Sequence, residues 1–166
     1  MRHFLDLAHY VWQPLVAFLF IWAATFALGY THSLVLSSIG ASSLGATALI
    51  IFANPGSNPA RFTNVLGGYT IGLFCGILCH YASHHFILPK YILNPITFVE
   101  IYAAAAVALS ILIMAICKMN HPPAAGMALG LVLEAWDYWT LAIILIAACA
   151  IALLKIILEP HIKTLV

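Results

Sequence analysis

An all-α membrane protein with about six membrane-embedded helices is what this sequence predicts, and three observations carry the prediction. Of its 166 residues, 64% are hydrophobic and only 7% charged, against about 25% charged in a typical soluble domain. The apolar residues fall in runs suited to helical spans of ~20 residues, without the period-two alternation of barrel strands. Proline- and glycine-rich interruptions divide those runs into six pieces, two of them with small or broken centres. Residues 1–166 read as a single membrane domain with a mean hydropathy of +1.07. A net charge of +1 implies no nucleic-acid partner.

Residues 1–10, with Arg2, His3, Asp6 and His9, are polar enough to lie at a membrane surface. The first helix is expected over 12–29, with Trp12 and Tyr30 as interfacial anchors. That run is too long for a signal-peptide core and reads as a retained helix. The second element, 33–53, begins at Ser33 and is centred on Ser37-Ser38-Ile39-Gly40-Ala41-Ser42-Ser43-Leu44-Gly45-Ala46. So small and hydroxylated a centre suits close packing or an interrupted helix. Asn54-Pro55-Gly56-Ser57-Asn58-Pro59 is a turn signal, with Arg61 just beyond it.

A third helix is expected over 64–83. Gly68, Gly72 and Gly76 recur every four residues there, a close-approach face for a helix of this or another subunit. Residues 84–96, with Lys90 between Pro89 and Pro95, connect to a fourth helix over 96–117. Glu100 sits about one turn inside it, either as an interfacial carboxylate or, if buried, as a proton carrier. Next comes Lys118-Met119-Asn120-His121-Pro122-Pro123, where two prolines force a break and then start a short helix reaching about Leu133. Such a break at membrane depth survives only when buried in protein or lining a wet cavity. Glu134-Ala135-Trp136-Asp137-Tyr138-Trp139 looks like an interfacial belt, and the last helix covers about 140–158. Cys75, Cys79, Cys117 and Cys149 all lie in apolar segments and read as buried thiols without a disulfide framework.

The chain also resembles itself at an offset of 80 residues. Phe18, Ile21, Ala23 and Ala24 match Phe98, Ile101, Ala103 and Ala104, and Ser42-Ser43 falls against Pro122-Pro123. Two three-element repeats, about 10–86 and 90–166, would have inverted orientations if every element crosses. With six crossings, Arg2, Arg61, Lys118, Lys155 and Lys163 share one side and Lys90 stands alone on the other. The positive-inside rule then puts both termini in the cytoplasm of an inner (plasma) membrane.

The chemistry expected of this pattern is a small-anion site at two helix starts, one near Ser42, Ser43 and Thr47, the other at Asn120-His121-Pro122-Pro123. Helix N-termini offer open N–H groups and about half a positive charge. Arg61 and Lys118 would concentrate anions at the mouths, and His121 would donate to the anion or carry a proton with it. Two other readings remain open. His80, His84 and His85, with Cys75 and Cys79, fit a transition-metal transporter, and the glycine face fits a scaffold or sensor that moves nothing. No H-E-x-x-H or G-x-S-x-G is present, so an enzyme is not expected, nor a cofactor. A homo-oligomer is expected, because six short helices enclose little volume.

At His121-Pro122-Pro123-Ala124-Ala125-Gly126-Met127-Ala128-Leu129 the sequence resembles the HPP family of integral membrane proteins. Leu44-Gly45-Ala46-Thr47-Ala48-Leu49-Ile50-Ile51-Phe52-Ala53-Asn54-Pro55 is similar to a second family segment, and Asn58-Pro59-Ala60-Arg61 leading to Asn64-Val65-Leu66-Gly67-Gly68 to a third. Ala125-Gly126-Met127 departs from the more usual Gly-Ala-Thr. The resemblance implies a transporter with nitrite as the leading substrate, and four spanning helices rather than six elements.

Overall fold

Local punctuation sets the helix ends. The computed structural model contains α1 (Arg2–Leu28), α2 (Leu34–Ala53), α3 (Phe62–His85), α4 (Pro95–Cys117), α5 (Pro122–Leu133) and α6 (Tyr138–Leu158). It describes residues 2–30, 34–85 and 95–165, with side chains over 10–30, 35–85 and 98–165. Ser33, Pro89 and Lys90, and the side chains of Arg2, His3, Asp6 and His9, lie outside the described residues. Helices α4 and α5 each open on a proline, whose missing N–H would have gone unused there. At the start of α6, Asp137 caps the helix by accepting from the Thr140 N–H at 2.7 Å.

Among the described residues five helices are long and apolar enough to cross a membrane, while α5 has 12 residues. That gives α5 a length of about 18 Å, against a hydrocarbon core of about 30 Å. The resemblance implies four spanning helices, against five of spanning length and composition and a shorter sixth here. Helix α1 starts at Arg2, ahead of the expected Trp12, and its 27 residues exceed a membrane thickness. Helix α2 runs unbroken through Ser42-Ser43, so the expected interruption there is absent and α5 alone is short.

The C-terminal segment meets α1 and the end of α2 at one end of the bundle. Gln13 on α1 is fully buried and donates to the carbonyls of Phe52 and Lys163, while its oxygen accepts from the Lys163 N–H at 3.0 Å. Leu165 N–H donates to the Ala53 carbonyl at 2.8 Å. Arg61, Lys118, Lys155 and Lys163 belong to this end. Glu100, Glu134 and Asp137 belong to the opposite one, near the start of α4 and the α5–α6 connection. The one described ion pair joins Lys155 to Glu159 at 2.8 Å.

Helix α3 is central and packs against α4, α5 and α6. Its glycines let α5 approach closely. A Cβ at Gly76 would stand 2.9 Å from the Ala128 carbonyl oxygen, and one at Gly72 would overlap the Ala124 carbonyl. The Gly68/Gly72/Gly76 face is therefore spent inside the chain and not on a neighbouring subunit. Small side chains continue this packing, with Cys79, Ala103, Ala106, Ala128 and Val132 in one cluster across α3, α4 and α5. Helix α1 is peripheral and exposes Val11, Leu15, Phe18 and Trp22, as a lipid-facing helix does. All four cysteines are free, and Cys117 is exposed, against the expectation of burial.

Candidate functional site

The break between α4 and α5 is a built structure. Lys118 N–H donates to Ala115 at 3.2 Å and Met119 N–H to Met114 at 2.9 Å, the paired bonds of a Schellman helix end. Lys118 occupies the left-handed position, φ 57°, where glycine is the usual residue. The chain turns there and dips back into the protein, so that His121 starts α5 with no exposed surface.

His121 does not cap α5 with its side chain. The ring turns away to two other elements. Nδ1 lies 3.0 Å from the Pro59 carbonyl, before α3, and Nε2 lies 2.9 Å from Thr47 Oγ1 on α2. A carbonyl only accepts, so Nδ1 carries a proton and donates it to Pro59. Thr47 Oγ1 also meets Tyr69 Oη at 3.0 Å and the Ser43 carbonyl at 3.0 Å. Tyr69 Oη meets Ser43 Oγ at 2.9 Å, and Ser43 Oγ donates to the Pro123 carbonyl at 2.7 Å. Ser43, Thr47, Tyr69 and His121 are all buried. They form one continuous network that ties α2, α3 and the start of α5 together. His121 lies in the non-helical connection, and burial pushes its imidazole below the ordinary value, with the Pro59 carbonyl opposing.

The expected paired helix starts do not exist in that form. Ser42-Ser43 lies within α2, and the start of α5 is nearly empty of donors. Pro122 and Pro123 have no N–H, and Ala124 N–H is bonded to the His121 carbonyl at 3.1 Å. Of the four groups a helix start leaves open, only the His121 N–H remains. The helix dipole persists, but backbone N–H capture of an anion is not available here.

Sequence-predicted residues nonetheless converge. Ser42, Ser43, Pro122 and Pro123 line one open groove of about 450 Å³ between α2 and α5, together with Ser38 and Gly126, which were not expected there. Lys118 and Asn120, both exposed, line a second recess of about 460 Å³ with Asn58 and Met114. Arg61 is exposed at the same end but does not line that recess. Glu100 is exposed at the far end, so the buried proton-carrier reading of it fails. The His80 and His84 rings lie 4.5 Å apart, tilted by 38°, yet among the described residues no three His, Cys, Asp or Glu side chains gather as metal ligands.

Tyr69 was not legible in advance. A lone tyrosine in an apolar helix reads as packing, and its one local signal is its place beside Gly68, on the face that meets the break.

The family model described as HPP, transmembrane region, matches residues 2–163. No curated protein and no solved structure matches the chain. The family match spans nearly the full length and includes the His121-Pro122-Pro123 break around which the buried network is assembled, so the chain belongs to the HPP family of transmembrane proteins.

Proposed function

We propose that this protein is a membrane transporter for a small monovalent anion, with nitrite the first substrate to test. The observation that carries the reading is the buried, uncharged polar network at a helix break, beside the cationic end of the bundle. Polar groups inside a membrane protein are costly and mark solute paths by default. Among the described residues no carboxylate hydrogen-bonds to Ser43, Thr47, Tyr69 or His121, which disfavours a metal cation as cargo. Arg61 and Lys118 are exposed and make no ion pair among the described residues, which suits anion attraction at that mouth. Nitrite in particular rests on the resemblance to members associated with its transport.

The groove between α2 and α5 takes the place of the paired helix starts in this reading. Ser42 supplies an exposed hydroxyl on a wall shared with Val35, Ile39, Ala46 and Gly126. The cationic end faces the cytoplasm by the positive-inside rule, which puts both termini there in an inner membrane. A homo-oligomer would cover the open side of the groove.

The test is nitrite uptake into liposomes containing the full chain, set against protein-free liposomes and His121→Ala. Uptake in the wild type and none in the variant supports the reading. Wild-type uptake by His121→Ala would remove His121 from the path, and uptake no faster than in empty liposomes would sink the transporter.

A further inference from the structure

We infer that His121 Nε2 is a proton site coupled to the anion, so that each anion crosses together with a proton. The inference rests on the anion-transport reading above and adds the second transported species.

Proton counting in the buried network leads to it. Six contacts are made by Ser43, Thr47, Tyr69 and the two ring nitrogens of His121. With a neutral imidazole only four protons serve them, one from each hydroxyl and one from Nδ1. The Nδ1 proton goes to Pro59 and the Ser43 proton to Pro123, because both partners are carbonyls. Two protons are then left for four contacts, and Thr47 must choose between His121 Nε2 and the Ser43 carbonyl. A proton on Nε2 resolves that conflict. Nε2–H donates to Thr47 Oγ1, Thr47 donates to the Ser43 carbonyl, and five of the six contacts are served.

The network also supplies the route. Ser43 is on the wall of the groove, and Tyr69 and Thr47 link it to His121. A proton arriving at Ser43 Oγ from the groove passes on to Tyr69 while the Ser43 proton stays in its bond to the Pro123 carbonyl, the Tyr69 proton moves to Thr47 and the Thr47 proton to Nε2. Each hydroxyl ends with one proton as it began, and the imidazole becomes imidazolium.

That cation needs a counter-charge. Facing His121 are Thr47 from α2, Tyr69 from α3 and the Pro59 carbonyl. Among the described residues the charged groups at this end are Arg61, Lys118, Lys163 and the Lys155–Glu159 pair. Among the described residues no carboxylate hydrogen-bonds to the ring, so an imidazolium there lacks a described counter-charge unless an anion is present. An anion in the groove therefore raises the proton affinity of His121, and by reciprocity the proton raises the anion affinity.

The experiment uses the full chain in liposomes carrying an internal pH dye, with nitrite added outside and the membrane potential clamped. Protein-free liposomes correct for passive nitrous acid. Proton and nitrite entering one-for-one, with a rate indifferent to the potential, is the expected result. His121→Asn keeps a donor for Pro59 but takes up no proton, so any nitrite it passes should be potential-driven and leave the lumen pH unchanged. Nitrogen NMR of His121 in nanodiscs, with and without nitrite, should show the anion raising the ring's protonation midpoint. Wild-type nitrite flux without proton movement overturns the coupling while leaving anion transport standing. Coupled flux with a His121 ring that nitrite does not perturb overturns the assignment to His121. Absence of nitrite flux overturns the function and the coupling together.

Discussion

Gly68 lies directly beneath His121, so that a Cβ added to the glycine would stand 2.5 Å from the His121 Cβ. The obstacle is the root of a side chain whose ring is fixed at both nitrogens, and it has little freedom to yield. Gly68→Ala is expected to destabilise the protein by about 1–3 kcal/mol through overpacking and to displace the ring from Thr47. Thermal unfolding in detergent checks the first effect, and loss of anion flux the second.

Gly126 is the matched contrast. It is exposed on α5, lines the groove and has nothing within 4 Å of an added Cβ. Gly126→Ala should stabilise α5 by about 0.5–1 kcal/mol through lower unfolded-chain entropy. The same methyl narrows the groove. A variant that unfolds later than the wild type yet moves anions more slowly would identify the groove as the path. Unchanged flux would move the path elsewhere.

Ser43→Ala leaves the Pro123 carbonyl without its hydroxyl donor and Tyr69 without one of its two partners. Unsatisfied buried polar groups cost about 1–3 kcal/mol, so a loss of that size is expected. Ser42→Ala, one residue away and exposed, should change stability by less than about 0.5 kcal/mol. Denaturation of the two variants side by side tests whether the network or the groove surface carries the stability.

Much of the fold was legible because its determinants are local. Apolar run length and the prolines at 95, 122 and 123 place the helices to within a few residues, apart from the early start of α1. The Gly68/Gly72/Gly76 stripe announced close packing, but its partner is a tertiary fact, and α5 supplies it. Ser42-Ser43 misled because small polar residues do not by themselves break a helix. No proline accompanies them, and Ser43 and Thr47 find hydrogen bonds without interrupting α2. The poverty of donors at the start of α5 was written in Pro122 and Pro123 themselves. What remained hidden was the joining of Tyr69, Thr47 and Pro59 around His121, since residues 22 to 74 positions apart share no local pattern.

Lys118 sits at the left-handed helix end with φ 57°, where a non-glycine residue costs roughly 1–2 kcal/mol. Lys118→Gly should relieve part of that strain and raise the unfolding temperature. It also removes a cation from the recess shared with Asn58 and Asn120. Anion uptake at low salt should fall, with the gap to wild type closing as ionic strength rises. A variant both less stable and unaltered in salt dependence would show that Lys118 serves neither role.

The buried His121 ring gives stability a definite pH dependence. Its folded-state value lies below the ordinary one because burial disfavours the charged form. Between the two values the unfolded chain binds more protons than the folded chain, so stability rises with pH there. The His121 contribution is therefore complete above about pH 6.5 and is lost as the pH falls through the lowered folded value. Unfolding midpoints between about pH 8 and pH 5 should drop in the wild type and drop less in His121→Asn, which has no proton to gain. Nitrite should shrink the wild-type drop, because an anion beside the network offsets the cost of the buried imidazolium, and should leave the variant's unchanged. Equal drops in the two proteins would mean that other histidines govern the acid limb. A wild-type drop that nitrite does not reduce would separate His121 from the anion.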